Sequence, residues 1–456
     1  MDTVLPSPLI PARPPIPPDA LSFFALLRAI RTNALTMWPE AAYTDDMLVR
    51  GFLGGTSVLL NMPDAIHRVL VENAGNYRRS PASIRILRAV TGEGLLLSEG
   101  DAWRHQRRTI APSLAPRVMP MLARCIAATT QEALERLAPQ IARPVDMLAT
   151  MQSVALEIAG RSMFSLEMRV HGPALRAMLL EYGERFAQPR LLDMLLPASV
   201  PTLHDMARRR FHRRWMRLIE TIMQPRLHTP PTDPPRDLFD LLRAARDPET
   251  GAAFSAVELR DQVATLILAG HETTAVTLFW ASLLLAQDQS EQSRVAAEVD
   301  GRSLDAEAAM GVLPQLVRTR AVINETLRLY PPAFVVVRQS VDADRLGDFD
   351  LPGRSIVMVA PWVLHRHRAL WHDPDTFAPG RFMPEAVPQA RFAYMPFGAG
   401  PRICVGAQFA LTEAVLVLAS LVQRFVIACD DPRPVLPVAI VTTQPDHAPL
   451  FRLRLR

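Results

Sequence analysis

The residues with the most chemistry in them lie late in the chain. Phe397-Gly398-Ala399-Gly400-Pro401-Arg402-Ile403-Cys404-Val405-Gly406 sets a cysteine among glycines and a proline, just ahead of an apolar run from Ala407 to Phe425. That layout presents a sulfur at a helix N-terminus. The positive end of the helix dipole favours thiolate over thiol, which suits a nucleophile or a metal ligand. The same text also reads as a structural cysteine buried after a glycine turn. A second constellation is Ala269-Gly270-His271-Glu272-Thr273-Thr274, where a glycine, a carboxylate and two threonines interrupt a long apolar stretch. Inside a helix Gly270 costs about 1 kcal/mol relative to alanine, and a threonine hydroxyl can divert a backbone hydrogen bond. The stretch is either a local opening, with Glu272 and Thr273 as a proton path beside a small ligand, or a kink that relieves packing. Trp103 and Arg107, four apart, can grip an anion beside an indole or simply line an amphipathic surface helix. Glu325 and Arg328, three apart, can pair on one helix face. His365 and His367 are metal ligands by residue type only, since no zinc-like spacing accompanies them.

Each of these groups needs an element to aim it. Ser255 and Glu258 have the spacing of a capping box, which predicts a helix from there to about Gln287, roughly 45 to 50 Å long. Being apolar nearly all round, it must be buried. Asp101 reads as the cap of the Trp103 helix, and Asp19 as the cap of a short helix through Ile30. Residues Met47 to Met62 straddle Gly51, Gly54 and Gly55 as a small hairpin. Arg208, Arg209, Arg210, Arg213, Arg214 and Arg217 alternate with Phe211 and Trp215, which predicts a solvated helix face. Seven prolines in residues 1–18 make an extended leader, a strap or a tail, ahead of a domain spanning 19–456.

With 49% hydrophobic and 21% charged residues, the 456-residue chain can bury a large core. A formal net charge of +4 is spread as scattered arginines rather than blocks, which argues against a nucleic-acid partner. The three cysteines, Cys125, Cys404 and Cys429, form no Cys-x-x-Cys pair, so neither a disulfide framework nor a zinc finger is expected. A reducing cytoplasmic compartment fits that usage. Leu21 to Leu27, the longest apolar patch near the N-terminus, is too short for a membrane span, so a soluble protein is expected.

Taken together and in this order, the motifs resemble the cytochrome P450 family. Its haem-loop pattern FxxGxRxCxG is matched by Phe397, Gly400, Arg402, Cys404 and Gly406, and AGxETT by Ala269, Gly270, Glu272, Thr273 and Thr274. Glu325 and Arg328 fit ExxR, Trp103 and Arg107 fit WxxxR, and Phe377, Pro379, Arg381 and Phe382 fit FxPxRF. Gly380 departs from the family, where many members carry Glu. The resemblance implies a mainly α fold with small β-sheets, in a single haem-enclosing domain. It implies haem b with Cys404 as the iron ligand, whose electron-rich sulfur favours O–O cleavage. Trp103, Arg107, Arg338 and Arg402 would then hold the propionates, while Phe397, Gly398, Gly406, Ala269 and Gly270 would lie against the ring. Thr273, with Glu272 behind it, would deliver protons to dioxygen. Glu325, Arg328 and Arg381 would brace the core.

By the same resemblance Leu266, Ala269, Ala333, Phe334, Val335, Val336, Val441 and Thr442 would line the substrate pocket. Their apolar character points to a lipophilic substrate of terpenoid, steroid or fatty acyl type, oxidised at a C–H or C=C bond. Only a short β-like tail follows the cysteine helix, so electrons are expected from a separate ferredoxin-type donor with its NAD(P)H-dependent reductase, docking near Arg104 and Arg108. A peroxide-driven peroxygenase or a peroxide-rearranging isomerase would have little use for Thr273. A haem-based sensor or binding protein would need length for a signalling domain.

Overall fold

The computed structural model describes residues 8–456 apart from 53, 142, 166–167, 198, 231 and 233. Its frame is the helix Ala256–Gln287, whose 32 residues span about 48 Å. The capping box that predicts its start is formed. Ser255 Oγ accepts from the Glu258 N–H at 3.3 Å, and Glu258 Oε2 accepts from the Ser255 N–H at 2.9 Å. Apolar residues all round leave this helix no solvent face, and it packs among Met147–Phe164, Val317–Leu329 and Ala407–Arg424. It is the one helix among the described residues long and apolar enough to cross a membrane, and most of it is buried in the core. Near its C-terminal half Trp280 stacks on Tyr330 with ring centroids 3.9 Å apart, while the Trp280 indole donates to the Thr443 carbonyl at 2.9 Å.

The fold is mainly α, with small sheets at the margins. The largest sheet orders its strands Met47–Phe52, Gly55–Leu60, Ile356–Val359, Val336–Ser340 and Tyr77–Arg79. Its first two strands are the hairpin expected from the glycine pattern, turned at Gly54 with φ 78°. Near the C-terminus Pro437–Ala439 and Thr443–Pro445 form a second hairpin, whose tip is Ile440 to Thr442. Residues 8–18 lie extended across the body. The Phe377 N–H donates to the Leu9 carbonyl, the Glu40 N–H donates to the Pro17 carbonyl, and Arg13 pairs with Asp375 at 3.1 Å. The first seven residues of the leader lie outside the described residues.

Three local expectations are corrected. The first helix is Phe23–Thr32, capped by Ser22 rather than Asp19, because the Ser22 hydroxyl sits where it accepts from the Ala25 N–H. The Trp103 helix is Gly100–Ile110 and starts beyond Glu99, so Asp101 falls in its first turn and pairs with Arg104. Of the arginines on the helix Leu203–Leu227, Arg208 is buried, not solvated. It bonds both oxygens of Asp193, at 2.7 and 2.9 Å, and an ion pair with a buried partner needs no water.

Candidate active site

A cavity of about 870 Å³ lies between the cysteine loop and the long helix. On one wall the loop folds back so that the Cys404 N–H donates to the Phe397 carbonyl at 2.9 Å. Gly398 and Gly400 take φ of 73° and 72°, and a Cβ at Gly400 would fall 1.9 Å from the Leu70 carbonyl oxygen. Only glycine closes this loop. The Cys404 side chain is exposed to the cavity, although it lies deep within the molecule. Burial pushes its thiol up, against the Gly406 N–H and the Arg107 charge. The expected thiolate preference at the helix start is therefore outweighed by desolvation in the protein alone.

Across the cavity stand Ala269, Gly270, Glu272, Thr273 and Thr274. The helix runs through them without a break. Instead of an opened backbone, the Thr273 hydroxyl donates to the Ala269 carbonyl at 2.7 Å, the side-chain diversion that threonine makes possible. Glu272 is held elsewhere. Its Oε1 accepts from the Thr442 hydroxyl at 2.8 Å and the Gln444 amide at 2.7 Å, both on the C-terminal hairpin.

A third side of the cavity is a rim of guanidinium groups: Arg79, Arg107, Arg338 and Arg402, with Trp103 among them. Strand register sets Arg79 directly opposite Arg338. Like charges so placed repel, and burial adds to the cost. Burial first, then the neighbouring arginines, pull Arg79 down to about 9 and Arg338 to about 10. Arg402 lies 4.6 Å over the Trp103 ring, donates to the Ser98 carbonyl at 3.1 Å and pairs with Glu99. Arg107 donates to the Ile403 carbonyl at 2.8 Å, while the Arg79 Nε has no partner among the described residues. Glu99 is the acid that acts on Arg79, Arg338 and Arg402. One carboxylate for that many buried cations leaves a deficit of negative charge, and a cofactor bearing two carboxylates makes it good. Sulfur on one wall and a cationic rim short of negative charge beside it fit a haem.

Arg79 is absent from the sequence reading, because its strand is three residues long and its partner Arg338 comes from a distant segment. Only the basic pair Arg78-Arg79 hinted at it. Leu266, Ala333, Phe334, Val335, Val336 and Val441 line the cavity, as does Thr442. Leu26 and Ile30 of the first helix join them without any sequence signal that would have placed them there.

Glu325, Arg328 and Arg381 stand behind the site rather than in it. Arg328 bonds both oxygens of Glu325, at 2.7 and 2.8 Å, and Arg381 approaches Glu325 at 3.5 Å. The remaining Arg328 donors reach the carbonyls of His365, Pro374 and Thr376. His365 is packing, not a ligand. Its Nε2 accepts from the Met395 N–H and its Nδ1 faces the Arg328 carbonyl. His367 likewise meets the Asp45 carbonyl. Arg104 and Arg108 both sit in ion pairs, the first with Asp101 at the surface and the second with Asp247 and Glu249.

A family model described as Cytochrome P450 matches residues 14–448. The chain is 33% identical over 370 residues to cyclooctatin synthase of Streptomyces melanosporofaciens, covering 80% of this chain and 79% of that protein. It is 30% identical over 344 residues to cyclooctat-9-en-7-ol 5-monooxygenase of the same organism, covering 74% and 73%. The crystal structure of the cytochrome P450DA heme domain matches 98% of this chain and 99% of its own with a TM-score of 0.82, at 22% identity, a likeness of fold. Sequence and fold thus agree over nearly the whole chain, which belongs to the cytochrome P450 family and is a haem b monooxygenase.

Proposed function

We propose that the enzyme inserts one oxygen atom of dioxygen into a C–H or C=C bond of a lipophilic small molecule of terpenoid, steroid or fatty acyl type. Electrons come from a separate ferredoxin-type donor and its NAD(P)H-dependent reductase, in a soluble cytoplasmic setting. The observation that carries this reading is the Cys404 sulfur facing the Thr273 helix across a cavity rimmed with guanidinium groups. Held through Cys404, the haem supplies dioxygen activation. The chain does the rest. Trp103, Arg107, Arg338 and Arg402, joined by Arg79, hold the propionates. Phe397, Gly398 and Gly406 lie on the sulfur side, Ala269 and Gly270 on the other. The Thr273 hydroxyl proton is committed to Ala269, which leaves oxygen lone pairs to accept a proton and pass its own onward as the hydroxyl turns. Glu272 is the acid behind it. Glu325, Arg328 and Arg381 keep the cysteine side rigid.

Leu266, Ala269, Ala333, Phe334, Val335, Val336 and Val441 exclude water and orient a hydrocarbon body, with Thr442 as the one polar group among them. Two relatives are named for cyclooctatin and for cyclooctat-9-en-7-ol, the second an alcohol by its name, and this supports the terpenoid-like end of the range. The test begins with carbon monoxide bound to the reduced protein. A strongly red-shifted Soret band is expected, and Cys404→Ala must abolish it; a purified protein without haem overturns the reading. Thr273→Ala should lose product formation with dioxygen while sparing turnover with hydrogen peroxide. Equal turnover of parent and Thr273→Ala with both oxidants would favour the peroxygenase instead.

A further inference from the structure

We infer that Thr442 and Gln444 form a clamp that positions Glu272 and links it to the filling of the substrate cavity. The inference rests on Glu272 being the proton source proposed above. Both donors converge on one oxygen, Oε1, at 2.8 and 2.7 Å, and Gln444 Nε2 also lies 3.2 Å from the Thr442 hydroxyl oxygen. Among the described residues no hydrogen bond engages Oε2. An amide N–H cannot accept a proton bond, so a proton on Oε1 would break the contact with Gln444. The clamp therefore keeps Oε1 an acceptor and leaves Oε2 as the oxygen that takes up and releases the proton.

The clamp is mounted on a hairpin with a fixed base and a tip inside the cavity. At the base the Ala439 N–H donates to Asn33 Oδ1 at 3.1 Å, and the Thr443 hydroxyl donates to the Pro331 carbonyl at 2.6 Å. The Thr443 N–H donates to the Pro332 carbonyl, and Trp280 holds the Thr443 carbonyl from the long helix. At the tip Ile440, Val441 and Thr442 all line the cavity. A substrate pressing on Ile440 and Val441 meets a pinned base, so the displacement is taken up at Thr442. A hydrogen bond weakens steeply with lengthening and misalignment, so a small shift there loosens Glu272. Substrate contact and proton supply are thereby joined through two neutral side chains.

The test uses the haem-loaded protein. Glu272 is labelled with a water-soluble carbodiimide and glycine ethyl ester, read by peptide mass spectrometry, with and without 4-phenylimidazole as the cavity-filling probe. Peroxide released per NAD(P)H is measured in parallel with a plant-type ferredoxin and its reductase as surrogate donors. In the parent, 4-phenylimidazole should raise labelling. Thr442→Val and Gln444→Leu should each raise it roughly fivefold without the probe, and the double variant should abolish the response to the probe. Thr442→Ser, which keeps the hydroxyl, should behave as the parent. Labelling unchanged in both single variants, or a probe response that survives in the double variant, overturns the clamp. If the double variant fails to bind haem, the single variants decide. Glu272→Gln separates the two readings. Unchanged peroxide release in Glu272→Gln removes Glu272 as proton source, whereas a changed release there, with unaltered labelling in the clamp variants, removes only the clamp.

Discussion

Arg79 and Arg338 face each other across a strand pair, the nearby Glu99 being paired with Arg402 instead, and both are pulled below the usual arginine range by burial and by neighbouring charge. An arrangement that is unfavourable in the protein alone becomes favourable once an anion lies against it. Arg79→Met should therefore raise the melting temperature of the haem-free protein and speed haem loss about 10- to 100-fold, the value of one charge-assisted hydrogen bond. Haem transfer to an acceptor apoprotein and calorimetry of the apoprotein check the two signs. Glu413 is the converse case, an acid fully buried in the helix Ala407–Arg424 with neither oxygen partnered among the described residues. Burial pushes it well above 4.5, so the folded state holds a proton that the unfolded state releases. Stability then falls as pH rises above about 4.5. Glu413→Gln should abolish that decline, so its melting temperature exceeds the parent's by a margin that grows from pH 5 upward. The sequence carries a signal here, a lone carboxylate in an apolar helix, but not that it would meet no partner among the described residues.

At the scale of elements, the ion pair of Glu325 and Arg328 was legible as spacing and its weight was not. Spacing places two groups on one face of a helix; it does not say that both side chains are fully buried or that three loop carbonyls and the Ala378 N–H complete the set. Glu325→Ala leaves Arg328 buried and unpaired, which should cost about 3 to 5 kcal/mol and yield protein that does not retain haem, as denaturant unfolding and the carbon monoxide spectrum would show. Helix packing also fixes two neutral histidines. Burial, and for His365 the nearby arginines, lowers His271 to about 4 and His365 to about 3 from 6.5. The unfolded chain binds more protons than the native state between those values. Stability contributed by the two rings is thus full above 6.5 and is lost as pH falls toward 3 to 4, at up to about 1.4 kcal/mol per unit for each. His271→Asn should flatten the slope of unfolding free energy against pH in that window. The capping box at Ser255, by contrast, was readable because its partners are three residues apart and need nothing from the rest of the fold.

On the scale of the whole molecule, the cavity is closed by contacts between segments far apart in sequence. Arg85, on the cavity-lining helix Pro81–Thr91, is buried and reaches Asp205 together with the carbonyls of Pro197 and Val200, so one side chain ties that wall of the cavity to the segment 197–205. Arg85→Met should loosen that closure and raise both association and dissociation rates of 4-phenylimidazole, measured by stopped-flow absorbance, with a smaller change in affinity. By itself the sequence determined the family, the cysteine loop and the long helix that carries Ala269 to Thr274. These rest on short-range spacing, in which a turn, a cap or a helical face is set by residues a few positions apart. Tertiary structure alone decided that Arg79 stands opposite Arg338, that Glu272 answers to Thr442 and Gln444, and that Glu413 has no partner among the described residues. Those relations join strands and loops far apart along the chain, and charge and hydrogen bonding act through space once packing has brought the groups together.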